Sequence, residues 1–217
     1  MRNFTITDAV RDYAVSHGSW QPTDVLRELR LETEALGDAA GMQIGDDQGQ
    51  LLTMLAKLVG ARRAVEVGTF TGYSSLCIAR GLAEDGTLLC CDVSEEWTSI
   101  ARRAWDRAGV ADRIELRLAP ALQTLRALPA DAGVDLVFLD ADKPGYVSYW
   151  EELVPRVRPG GLLLADNVLW SGEVVDPDAA EENTAALREF NDLVAADSRV
   201  EVVMLTAFDG LTIARKR

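Results

Sequence analysis

Apolar runs of strand length recur along the chain at regular intervals. They are RAVEV, TLLCCD, RIELRL, VDLVFLD and GLLLAD, and the stretches between them carry helical spacing. Such runs, apolar on both faces, suit parallel strands covered above and below. Right-handed crossovers then dictate a doubly wound α/β sheet with its core over Ala64 to Gly161. Ahead of it lie two helical segments, Thr5 to Ser16 and Pro22 to Ala40, which the sheet's own helices do not require and which read as an appended cap. Behind it come a loop rich in Asp, Gly and Pro (NVLWSGEVVDPDA), a helix near Glu181 to Ala196, and VEVVMLTAFDGLTIARKR, two strands closing on an FDG turn. Such a hairpin is an unusual ending for a dinucleotide-binding domain. The expectation is a Rossmann-like seven-stranded sheet with a reversed C-terminal strand, in one domain over residues 1–217 with a helical cap at 1–45 and a core at 46–217.

Composition narrows the function. The chain has 217 residues, 48% hydrophobic and 26% charged, enough for one soluble domain with a large core. A net charge of -13 disfavours nucleic acid and anionic membranes as partners. The N-terminus has no signal-peptide core and no apolar run approaches the ~18 residues of a membrane span, so a cytoplasmic protein is expected. Cys77, Cys90 and Cys91 form no C-x-x-C pair and fit apolar packing positions. The one histidine, His17, stands before a glycine near a helix end; with no G-x-S-x-G motif, a Ser-His-Asp hydrolase is excluded. Catalysis must come from carboxylates, amides, lysines, tyrosines or a bound cofactor.

Three stretches carry candidate chemistry. VEVGTFTGYSS, Val65 to Ser75, sits where the first strand gives way to a helix, but Phe70 occupies the place of the glycine that lets a backbone approach a pyrophosphate. Glu66 turns the electrostatics toward a cationic ligand, such as the sulfonium and ammonium of S-adenosylmethionine, with helix amides and Ser74 available for that ligand's carboxylate. Asp92 ends the second strand, where a carboxylate can accept a ribose diol. The fourth strand ends on Asp140 and the fifth on Asp166 and Asn167. Adjacent strands lie roughly 5 Å apart, so these oxygens can converge on one hard cation, Mg²⁺, leaving about three of six positions open. Strand-end acids also cap helices or face water, and that reading stays open. Lys143 would lie beside the cation, placed to act as a general base.

These blocks, VEVGTFTGYSSLCIARGLAEDG, CDVSEEWTSIARRAWDRAGVADRIELRL, VFLDADKPGY, LLADNVLWSG and DGLTIARKR, resemble in order and spacing the metal-dependent, S-adenosylmethionine-dependent O-methyltransferases that include the catechol and caffeoyl-coenzyme A enzymes. The resemblance runs from MQIGDDQGQLL onward. It implies the sheet of those methyltransferases, Mg²⁺ on Asp140, Asp166 and Asn167, and Lys143 with Asp140 as the catalytic pair, Lys143 being base or orienting ammonium. It further implies cofactor contacts at Met42, Ile44, Glu66, Gly68, Thr69, Ser74, Asp92, Ala121 and Asp142, and an acceptor pocket at Lys143, Asn167, Trp170 and Ser171. Ala119 departs from the family, where a glycine is frequent, and the first 40 residues give no clear match. The implied protein is a homodimer that methylates one hydroxyl of a small catechol-type phenol. The alternatives are a methyltransferase for hydroxylated tRNA bases, a nicotinamide oxidoreductase, which Phe70 and the terminal hairpin disfavour, and a non-catalytic nucleoside-binding module.

Overall fold

The structure, a computed structural model, describes residues 7–18 and 22–217. Three helices precede the sheet: α1 (Asp8–Ser16), α2 (Asp24–Glu34) and α3 (Asp46–Val59). The predicted start of the first helix at Thr5 lies outside the described residues, and the second segment is shorter than expected, giving way to a 3-10 stretch at Gly37–Met42. Thr23 caps α2 by accepting from Leu26 N, and Leu26, Leu29 and Thr33 make its buried face. The third helix, α3, ends on Gly60, whose left-handed φ of 65° glycine adopts without the strain a Cβ would bring.

The sheet alternates with helices as the apolar runs predict: β1 (Arg63–Val67), α4 (Tyr73–Gly81), β2 (Thr87–Asp92), α5 (Glu95–Ala108), β3 (Ile114–Leu118), α6 (Ala121–Ala127), β4 (Val134–Leu139), α7 (Tyr146–Leu153), β5 (Val157–Asp166), α8 (Glu182–Ala196), β6 (Val200–Leu205) and β7 (Leu211–Lys216). The seven strands lie in the order β3-β2-β1-β4-β5-β7-β6, with β7 antiparallel to both its neighbours. This is the doubly wound, Rossmann-like sheet with the reversed C-terminal strand. Its helices follow from local signals: Ser94 caps α5 through Trp97 N, Glu95 and Glu96 face the positive end of the helix dipole, and Gly109 closes it at φ 67°.

The core lies in two layers. Along β4 every residue is buried, with Leu136 and Phe138 facing α3, α4 and α5 and Val137 and Leu139 facing α7 and α8. Burial of one such side chain contributes ~1.5–3 kcal/mol, which is why the pattern of uninterrupted apolar strands is legible. Among the described residues no helix is long and apolar enough to cross a membrane. The three cysteines are free and buried, and His17 caps α1 at the surface, stacked on Tyr13 with ring centroids 4.0 Å apart.

Candidate active site

The C-terminal ends of the parallel strands open on a cavity of about 1330 Å³. Ligands of open α/β sheets bind in this crevice, where the strand order reverses between β1 and β4. The wall is closed on one side by the segment Met42–Asp47, on another by the loop after β1, and on the far side by the 3-10 stretch Trp170–Val175.

The loop after β1 owes its shape to steric contact. Gly68, at φ 90°, packs so closely on the end of β4 that a Cβ would lie 1.9 Å from the carbonyl oxygen of Asp140. Its glycine is therefore required by the strand ends themselves. Phe70 also has positive φ, 51°, and packs edge-on against Trp97 at 5.1 Å. The following helix begins at Tyr73, after Gly72 at φ 89° has turned the chain.

Asp92 organises this loop. One carboxylate oxygen accepts from the backbone N–H of Thr69 and Phe70, both at 2.9 Å, and the other from Val93 and Ser94 at 2.7 and 2.8 Å. These four amides use all the in-plane acceptor directions of the carboxylate. The residue expected to hold a ribose diol thus lines the cavity while already saturated, and its first role is to tie β2 to the glycine loop.

Glu66 lies behind the wall rather than on it. It is fully buried, Cys90 Sγ donates to its Oε2 at 3.3 Å, and its Oε1 has no partner. Burial pushes its carboxyl up to about 8, against smaller opposing effects of Ser74, Cys90 and Thr69. Near pH 7 the group is neutral, so it lends the cavity no full negative charge. Met42, Ile44, Gly68, Thr69, Ser74, Asp92, Ala121 and Asp142 all line the cavity; Asp142 accepts a hydrogen bond from Tyr149 Oη at 2.6 Å.

The floor is built by adjacent strands. Leu139 of β4 pairs with Ala165 of β5, so the next residues on each, Asp140 and Asp166, emerge side by side. Lys143, nearly buried, reaches back from its turn to donate to Asn167 Oδ1 at 2.8 Å and lies 3.4 Å from Asp140 Oδ1. Tyr146 Oη, 2.8 Å from Lys143 Nζ and itself bonded to the carbonyls of Leu139 and Asp166, fixes the ammonium in place. Burial raises the Asp140 carboxyl, and burial together with the charge of Asp140 raises that of Asp166. Buried Asp166 and half-buried Asp140 thus share the single ammonium of Lys143.

Among the described residues no group of three His, Cys, Asp or Glu side chains could hold a metal. The donor set at the floor is instead two carboxylates and an amide, all hard oxygens, and Lys143 already brings a cationic group against two of those side chains. That chemistry fits a divalent cation with open positions.

Sequence reasoning overlooked several members of the site. Gln48 is buried, lines the cavity and is turned toward Asp166, while its Nε2 makes no hydrogen bond of ordinary geometry. Tyr146, inside the VFLDADKPGY block, gave no signal beyond its apolar neighbours. The cap is tied to the region after β1 by a buried pair, Thr33 Oγ1 donating to Thr71 Oγ1 at 2.9 Å, and by half-buried Arg30, which pairs with Asp46 at 2.6 Å while stacking 4.6 Å from the Tyr73 ring. On the far wall, Trp170 and Ser171 sit where the acceptor pocket was expected, with left-handed φ values of 47° and 52°. Arg188 of α8 holds that stretch by donating to the carbonyls of Val174, Glu173 and Ala179 at 2.9 to 3.0 Å and to that of Asp176.

The sequence model of the O-methyltransferase family matches residues 16–217. Caffeoyl-CoA O-methyltransferase 2 of Zea mays is 43% identical over 185 residues, covering 81% of this chain and 70% of its own. A catechol O-methyltransferase domain-containing protein of Mus musculus is 41% identical over 196 residues, covering 88% and 74%. Among solved structures, the O-methyltransferase TomG of Streptomyces achromogenes, involved in tomaymycin synthesis and crystallised with S-adenosylmethionine, superposes with a TM-score of 0.88 at 32% identity over 96% of each chain.

Proposed function

Because the chain belongs to the O-methyltransferase family, we propose that it moves the methyl group of S-adenosylmethionine to one hydroxyl of a small catechol-type acceptor with the help of a divalent cation, Mg²⁺ in the first instance. The observation that carries the reading is that Asp140, Asp166, Asn167 and Lys143 share one cavity with the Gly68–Ser74 loop. The methyl donor belongs on the side of Gly68, Thr69, Ser74 and Ala121, the acceptor on the side of Lys143, Asn167 and Trp170. Asp140, Asp166 and Asn167 would hold the cation, which supplies charge to acidify a phenol and a template for two neighbouring oxygens.

The chain's own residues do the rest. Lys143, held by Tyr146 and Asn167, stands at the floor to steady the phenolate as an ammonium, or, in the fraction that has released its own proton to solvent, to accept the phenolic one. The acceptor oxygen then displaces the methyl carbon from sulfur in line, forming C–O as C–S breaks and releasing S-adenosylhomocysteine. Trp170 offers a flat wall for the acceptor ring.

A catechol offers two adjacent oxygens and a monophenol one. The test measures methyl transfer to a catechol and to its singly hydroxylated analogue, with Mg²⁺ and with chelator, together with calorimetric titration of Mg²⁺ into the wild type and Asp140→Ala. Activity on the catechol should collapse with chelator and return with Mg²⁺, and metal affinity should fall at least tenfold in the variant. Equal rates on both acceptors in metal-free buffer would reject the metal mechanism.

A further inference from the structure

The wall of the cavity is acidic well beyond what a metal floor requires. Among the described residues that line it, eight are Asp or Glu and two are basic, Lys143 and Arg11. Lys143 is enclosed between Asp140 and Asn167, and Arg11 on α1 is engaged in interactions of its own. Two of the outer acids flank Trp170: Glu173 lies on the same 3-10 stretch, and Asp209 accepts from the backbone of Ser171 next to it, so both stand on the wall where the proposed reading puts the acceptor.

Their partners leave their charge in place. Glu173 Oε2 accepts from the hydroxyl of Thr184, a fully buried side chain, at 2.7 Å, and Asp209 Oδ1 accepts from Ser171 N at 2.6 Å. Both donors are neutral: they orient a carboxylate without cancelling it. Arg188 keeps its charge beside this mouth but commits Nε, Nη1 and Nη2 to four backbone carbonyls of the loop itself. A guanidinium so used holds Glu173 at the wall and offers no fork to a phosphate.

We propose that the acceptor's remote end is neutral or cationic, and that Glu173 selects against acceptors carried on a polyanionic group such as a coenzyme A thioester. This rests on the reading of the cavity as the site of a catechol acceptor, and it separates this chain from relatives whose names include caffeoyl-CoA. Like charges facing one another across a cleft suppress the wrong partner, and the suppression is strongest at low ionic strength.

The test uses three ligands with one catechol head: the methyl ester of caffeic acid, its aminoethyl amide, and caffeoyl-CoA. Binding to the full chain is measured by calorimetry with Mg²⁺ and S-adenosylhomocysteine present, so that no turnover intervenes. At low salt the thioester should bind at least ~30-fold more weakly than the ester and the amide at least as tightly as the ester, with the gap narrowing as salt rises. In Glu173→Lys the ratio of thioester to ester affinity should rise about tenfold, and a cooperative thermal melt of the variant reports separately that it is folded. A thioester that binds the wild type as tightly as the ester, or a ratio that Glu173→Lys leaves unchanged, overturns the proposal. Failure of methyl transfer to the ester counts against the reaction reading alone, because the ranking is measured without turnover.

Discussion

Replacing Glu66 with glutamine should stabilise the protein at neutral pH, by an amount that burial sets. The folded carboxyl titrates at about 8 against an ordinary 4.5, chiefly because it is fully buried. Between those values the folded state holds a proton that the unfolded chain has released. Stability is therefore fully present below pH ~4.5 and falls as pH rises, by ~1.4 kcal/mol per unit, until the folded group ionises near 8. By pH 7 the accumulated loss is ~3 kcal/mol. Glutamine does not titrate and abolishes it. The new amide must find an acceptor, and Thr69 Oγ1, itself buried without a partner, is adjacent in the same cluster. Allowing ~1 kcal/mol for an imperfect bond, the variant should be ~2 kcal/mol more stable than wild type at pH 7 and equal or less stable at pH 5. Urea unfolding of ligand-free protein at half-unit steps from pH 5 to 8.5 measures this. Contributions from Asp140 and Asp166 are common to both proteins and cancel in the difference. Parallel stability profiles for the two proteins across that range would refute the argument, since they would mean that Glu66 is ionised in the fold.

Two further outcomes are expected. Gly68→Ala puts a methyl group 1.9 Å from the Asp140 carbonyl oxygen at a φ of 90°; a cost of ~3 kcal/mol or more should lower Tm by roughly 6 °C or more in a thermal melt. Asp197 accepts from Arg199 and from Trp150 Nε1 at 2.9 Å, and the arginine first of all holds its carboxyl down at about 2 against an ordinary 3.8; its contribution is present above pH ~4 and lost as pH falls toward 2, so Asp197→Ala should cost ~1–2 kcal/mol in urea unfolding at pH 7, with a clearly smaller difference at pH 3.

The strands were legible because β1, β2, β4 and β5 bury both faces, and such runs have few other uses. The pairing of Asp140 with Asp166 followed from strand order, since two neighbouring strands that end on carboxylates must bring them together. What escaped the sequence were identities of partners. Asp92 reads as a carboxylate at a strand end, and nothing in the sequence shows that it also accepts from the amides of Thr69 and Phe70 in the loop after β1 and of Val93 and Ser94 in its own. The sequence marks Gly68 as a member of the loop, but not that the end of β4 comes so close that a Cβ there would lie 1.9 Å from the Asp140 carbonyl oxygen. Gln48 and Arg188 stand in helices with nothing in their spacing to separate them from surface polar residues; only the fold turns one toward Asp166 and the other onto four carbonyls.

The position of β7 has a consequence for how the molecule is made. Residues 211–216 come after every other strand in the chain, yet they lie inside the sheet, between β5 and β6. During synthesis β5 therefore waits with one flank unsatisfied until this segment leaves the ribosome, and β6, which touches only β7, has no sheet to join before then. An open flank of this kind invites pairing with other chains. The waiting edge includes Leu162, Leu163 and Leu164, so the interval between emergence of β5 and arrival of β7 is when the nascent protein is most exposed to aggregation, and shielding of that interval by a chaperone would govern its yield.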